Sequence, residues 1–83
     1  MSTEHPGLPI SGYRPQSDDN VFLVNQNKGI EENVLRLLDQ LKLDPAIDQR
    51  WLAVGRTHLE QAFMAINRAI FKPERVSLPG DAA

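Results

Sequence analysis

Tyr13, the chain's only tyrosine, stands beside Arg14 in the stretch GYRP, residues 12–15. Lys28 follows about three turns into the helical pattern that comes next. An exposed tyrosine ring can stack on a nucleobase, at roughly 1–3 kcal/mol per base. Arginine and lysine give phosphate oxygens charge-assisted hydrogen bonds, and the first turn of a helix adds free N–H donors. In a two-fold dimer every such group appears twice, matching a small ligand with two bases and two phosphates. The plain alternative is that Tyr13 staples the arm to its own helix and Lys28 is merely solvated. The residues alone leave both readings open.

Catalytic sets are harder to assemble. There is no cysteine. The serines, Ser2, Ser11, Ser17 and Ser77, lie in arms or at a cap, and none sits in a nucleophile elbow. His5 and His58 are the only imidazoles, too few for a structural zinc site without thiolates. His58, between Thr57 and Leu59, reads as a partly buried helix residue. Glu31 and Glu32 are adjacent and project in different directions, as solvated faces or ion-pair partners. Arg56 and Glu60 are four apart, the spacing of a helix-surface ion pair. Neither a Gly-x-x-x-x-Gly-Lys loop nor GxGxxG occurs. The expectation is a binding protein, not an enzyme, with no cofactor and no metal.

The elements that position these groups are short to describe. Pro6, Pro9 and Pro15, with Gly7 and Gly12, make residues 1–16 an extended arm, with at most a short helix in it. Ser17 is a good N-cap and Asp18 and Asp19 suit the positive end of a helix dipole. From about 18 to 43 the pattern is helical, with Leu23, Asn27, Ile30, Val34, Leu37 and Leu41 as its seam and Leu35 and Leu38 as a second stripe. Gly29 is a candidate kink or close backbone contact. Asp44 and Pro45 read as the cap and first residue of a second helix, from about 45 to 71. Its stripe is Leu52, Gly55, Leu59, Ala62, Ile66 and Ala69, widened by Trp51, Phe63 and Ile70. Pro73 ends it, and the tail ERVSLPGDAA is expected to be short and loose. The organisation is therefore an arm with a ligand-binding turn over 1–16, a hairpin domain over 17–72 and a tail over 73–83. The fold class is all-α, an antiparallel two-helix hairpin.

A hairpin covers one stripe on each helix, and this chain has more. Each large side chain buried gains about 1.5–3 kcal/mol, so leftover stripes favour association into a closed homo-oligomer. The alternative is a monomer whose arm covers the second stripe. At 83 residues, without disulfides, the chain is a single domain in need of such support. Its net charge of −2 lacks the basic footprint of a protein that grips long nucleic acid. Neither a membrane span nor a secretion signal is evident, so the expected setting is soluble and intracellular.

The order of parts resembles a known family. GYRPQS, then VNQNK, then EENVLRLLDQL, then RWLAVGRTHLEQAFMAINRAIFKPERV is similar to the phage anti-CBASS cyclic-oligonucleotide sponges, whose hairpin domain is shared with an anti-Thoeris sponge. The likeness covers residues 11 to 76, and RWLAVGRTHLEQAFMAINRAI, 50 to 70, is its most distinctive piece. It implies a compact homohexamer that sequesters cyclic dinucleotides such as 3′,3′-cyclic GMP-AMP without cleaving them, in the cytoplasm of the infected bacterial host, blocking CBASS defence. By the same resemblance the dinucleotide pocket lies between two protomers. There Tyr13 would stack on a base and Lys28 would meet a phosphate, with Gly12 and Arg14 shaping the pocket. Some members also hold cyclic trinucleotides at a separate threefold-related site, where Arg68 is the matching residue. The rival from another class is a helical protein–protein interaction module with no nucleotide ligand.

Overall fold

Ser17 opens the first helix as its residue type demands. In the computed structural model, which describes residues 4–5, 12 and 14–81, its extended backbone precedes the helix and its Oγ accepts from the Asn20 N–H at 3.2 Å. Helix α1 spans Asp18–Lys42, with Asp18 and Asp19 in its first turn and Lys42 in its last, each sign matched to the helix dipole. Helix α2 spans Gln49–Phe71. Before α1, strand β1 (Glu4–His5) pairs antiparallel with β2 (Gln16–Ser17), Glu4 opposite Ser17 and His5 opposite Gln16. Glu4 and His5 thus lie beside the entrance to α1.

The second helix begins later than the Asp-Pro signal suggests. Asp44 caps a turn: its Oδ1 accepts from the Ala46 N–H at 2.9 Å, and its carbonyl from the Ile47 N–H at 3.1 Å. Asp48 is the helix cap, accepting from the Trp51 N–H at 3.1 Å. Two aspartates four positions apart were both eligible, and the four-residue turn from Asp44 to Ile47 reverses the chain. The Gln49 side-chain amide points into this turn, donating to the carbonyls of Leu41, Asp44 and Ile47 at 3.2–3.4 Å.

The helices pack antiparallel, since cross-helix partners run in opposite order: Asn20 with Ile70, Asn27 with Asn67, Asp39 with Arg56. The inward row of α1 is Asn20, Val24, Asn27, Glu31, Val34, Leu38 and Leu41, all buried or half-buried and stepping by four and three. That is a heptad seam, but rotated from the expected one: Leu23, Ile30 and Leu37 face outward, 44%, 50% and 54% exposed. The side-chain amides account for the rotation. Asn27 donates to Asn67 Oδ1 at 3.1 Å, and Asn20 reaches the Ile70 carbonyl at 3.5 Å. A buried amide must find a partner, whereas leucine and isoleucine can be left for another surface. On α2 the inward row is Leu52, Arg56, Leu59, Phe63, Asn67 and Ile70; Gly55, Ala62, Ile66, Ala69 and Trp51 face away. His58, one residue before the inward Leu59, is exposed and not partly buried. A Cβ at Gly29 or Gly55 would meet nothing within 4 Å, so neither glycine makes a close contact inside the protomer.

The core is correspondingly thin. Among the described residues Val24 is the one buried apolar side chain, and no side chain is fully buried. The radius of gyration is 17.9 Å, against about 12 Å for a compact chain of this length. The accessible surface is 6977 Å², against about 5000 Å² for a folded monomer of this mass.

Candidate functional site

Gln16 organises the open end of the hairpin. It is 5% exposed, and its amide donates to the Phe71 carbonyl and the Arg14 carbonyl, both at 2.8 Å. Its Oε1 accepts from Asn20 Nδ2 at 3.3 Å. One side chain thereby satisfies a carbonyl at the end of α2, ties the arm to it and braces the first turn of α1. No buried side-chain polar atom among the described residues lacks a partner.

The chain leaves α2 through Lys72, whose left-handed backbone (φ 48°, ψ 57°) sends it back toward the arm; its N–H donates to the Arg68 carbonyl at 2.7 Å. Pro73 follows, and Glu74 then meets the arm. The Glu74 N–H donates to the Gly12 carbonyl at 2.8 Å, and the Glu74 carboxylate pairs with the Arg14 guanidinium. Gly12 has φ +81°, and a Cβ there would collide with the Glu74 carbonyl oxygen and lie 3.2 Å from Val76 Cγ1. Glycine is required here for its backbone and for the closeness of the tail. The start of the tail is therefore fastened, where the sequence pattern suggested a loose end.

These contacts frame a cleft of about 240 Å³ lined by Arg14, Gln16, Asn67, Arg68, Phe71 and Pro73. It gathers two guanidiniums, two carboxamides and an aromatic ring at one end of the molecule. Arg14 is engaged by Glu74; Arg68 has no ion-pair or hydrogen-bond partner for its side chain among the described residues. Such a lining suits an anion carried on a flat, stackable group. Arg14 and Arg68, which the family resemblance assigns to different sites, line the same cleft of one protomer.

Lys28 is exposed, roughly 15 Å along α1 from Asp18, and is not part of this cleft's lining. Tyr13 lies outside the described residues; its neighbours Gly12 and Arg14 are both held by Glu74. Gln16, Asn67 and Glu74 are the contributors that sequence reasoning misses. A polar residue beside a cap or in a tail carries no periodic signal, and Arg14 and Glu74 are 60 positions apart.

A larger cleft of about 360 Å³ lies near the loop end, lined by Leu38, Asp39, Lys42, Gln49, Leu52, Ala53 and Arg56. Arg56 donates to Asp39 at 2.9 Å across the helices and stands 4.0 Å from Glu60, the partner its spacing suggests. The hydrogen bond that Arg56 donates to the Asp39 carboxylate raises the Arg56 pKa above the ordinary arginine value, so it stays charged at any working pH. Of this cleft's two cations, Arg56 is thus engaged inside the fold, and Lys42 stands at the last turn of α1. Among the described residues no group of three or more His, Cys, Asp or Glu could hold a metal ion, and no helix is long and apolar enough to cross a membrane.

Fold and site together define a small helical hairpin with a cationic, aromatic-edged cleft at its open end. The chain belongs to the Acb2/Tad1 hairpin-domain family, whose model matches residues 8–71. That places it among the sponge-type phage anti-defence proteins, which bind cyclic oligonucleotide signals. Comparison with curated proteins and with solved structures returns no match.

Proposed function

We propose that the chain binds a cyclic dinucleotide immune signal, 3′,3′-cyclic GMP-AMP foremost, and withholds it uncleaved, so blocking CBASS defence in the cytoplasm of the infected bacterium. The family match over residues 8–71 carries this reading, because it spans the GYRP turn, Lys28 and Arg68. The cleft's chemistry supports it. Arg14 offers a guanidinium for phosphate, and Phe71 offers a ring. In this reading Tyr13 stacks on a base and Lys28 of a neighbouring protomer meets a phosphate, with Gly12 and Arg14 flanking. The stretch of α1 between Asp18 and Lys28 makes a pocket shared between protomers the natural way to bring lysine and turn together. Cyclic trinucleotides at a second site through Arg68 belong to the same proposal.

Assembly is part of the reading. A single buried apolar side chain among the described residues and roughly 2000 Å² of surface beyond that of a folded monomer are what a protomer of a larger, homohexameric body would show. The protein-interaction alternative draws on the same outward stripes and lacks a use for the cationic cleft.

Titration calorimetry with 3′,3′-cyclic GMP-AMP tests the reading. Binding heat, with intact nucleotide recovered after denaturation, is the expected result. Tyr13→Ala and Lys28→Ala should each weaken binding about tenfold or more while the oligomer persists. No heat and no thermal stabilisation across a panel of cyclic di- and trinucleotides would sink it, and a linear product would make the protein a nuclease.

A further inference from the structure

We infer that Glu74 is a positioning residue for the ligand-binding turn: it clamps Gly12 and Arg14, the residues on both sides of Tyr13, and so pre-sets the turn for its ligand. The inference rests on the proposed function and adds a part of the chain that lies beyond the matched residues 8–71.

Three independent contacts converge on this one tail residue. The Glu74 N–H donates to the Gly12 carbonyl at 2.8 Å. The Glu74 carboxylate pairs with Arg14. Gly12 lacks the Cβ that would strike the Glu74 carbonyl, and its φ of +81° is one that other residues rarely adopt. The tail reaches this position because Lys72 takes a left-handed backbone and Pro73 then fixes the direction of exit. Gln16 anchors the same turn from below, donating to the Arg14 carbonyl and to Phe71 at the end of α2. Gly12, Arg14 and Gln16 are thus held between the helix end and the tail.

The consequence is energetic. A turn free to move must be ordered when ligand binds, and that ordering subtracts from affinity. A turn already fixed on both flanks avoids most of that cost. The ion pair is exposed, with the Arg14 side chain at 43% and the Glu74 side chain at 63%, so water screens it and the backbone bond is the firmer of the two ties. Arg14 also keeps donors beyond those used by one carboxylate, so it can meet an anion without releasing Glu74.

Glu74→Pro removes the N–H donor, and Glu74→Gln removes only the charge. With 3′,3′-cyclic GMP-AMP in calorimetry, Glu74→Pro should weaken binding about tenfold or more, and Glu74→Gln less than about threefold. Subunit mass by native mass spectrometry and Tm should match wild type in both. Equal affinity in wild type and Glu74→Pro overturns the clamp and leaves the proposed function standing. A wild-type protein that binds no member of a cyclic di- and trinucleotide panel overturns both. If Glu74→Pro alters mass or Tm, hydrogen exchange on the unliganded wild type decides. A Glu74 amide slower than the exposed amides of residues 75–77 supports the clamp, and one exchanging as fast overturns it.

Discussion

Gln16 shows how much one buried amide can organise. Its two donors and its acceptor are all used, on three different segments of the chain. Replacing it with leucine keeps the bulk and strands the Phe71 and Arg14 carbonyls. Leaving such groups unpaired costs about 1–3 kcal/mol. Gln16→Leu should therefore lower the unfolding free energy by about that much in denaturant titration, and ligand affinity should fall with it as the turn loosens. An unchanged midpoint would mean that water replaces the amide at no loss. Asn27 and Asn67 act on the same principle at the seam, where their mutual bond ties the two helices together.

At the level of the elements, caps and glycines set where the helices begin and what they can approach. Ser17 and Asp48 each satisfy an N–H of a first turn, and alanine at either should cost about 0.5–2 kcal/mol. Gly55 is more informative. It sits inside α2, facing away from α1, with open space around the position of a Cβ. Helix propensity alone makes Gly55→Ala a gain of roughly 0.5–1 kcal/mol. A higher Tm with unchanged mass is the expected outcome. A lower Tm together with a smaller assembly would show that a second protomer packs against that glycine.

On the scale of the whole molecule the apolar surface has outgrown the hairpin. Phe22 and Trp51 are each 67% exposed, and Met64 is 65%. Leu23, Ile30 and Leu37 repeat every seven residues along the outer face of α1, the spacing that mates helices. If these rows join protomers, folding and assembly are linked, and Tm must rise with protein concentration. Ile30→Asp should shift the species seen in native mass spectrometry to monomer and remove that dependence. A variant that keeps the wild-type mass would place the interface on another face.

The helix periods, the Ser17 cap, the break near Asp44 and the surplus of apolar stripes could all be read from the chain alone. Each follows from local propensity or from spacing along a few turns, which a chain carries wherever it goes. The GYRP turn and Lys28 were legible as candidates for the same reason, since their residue types announce phosphate and base chemistry, whereas Arg68 entered only through the family resemblance. Tertiary structure decided the rest. The seam turned by one position because amides on two helices had to find one another. The second helix started at Asp48 because only the reversal of the chain could choose between two capping aspartates. Arg14 and Arg68 came to share a cleft, and Glu74 came to hold the turn, through contacts between residues some fifty to sixty positions apart. Partners that distant leave no periodic trace in a chain, because their pairing is fixed only when the helices close and bring both ends of the hairpin together.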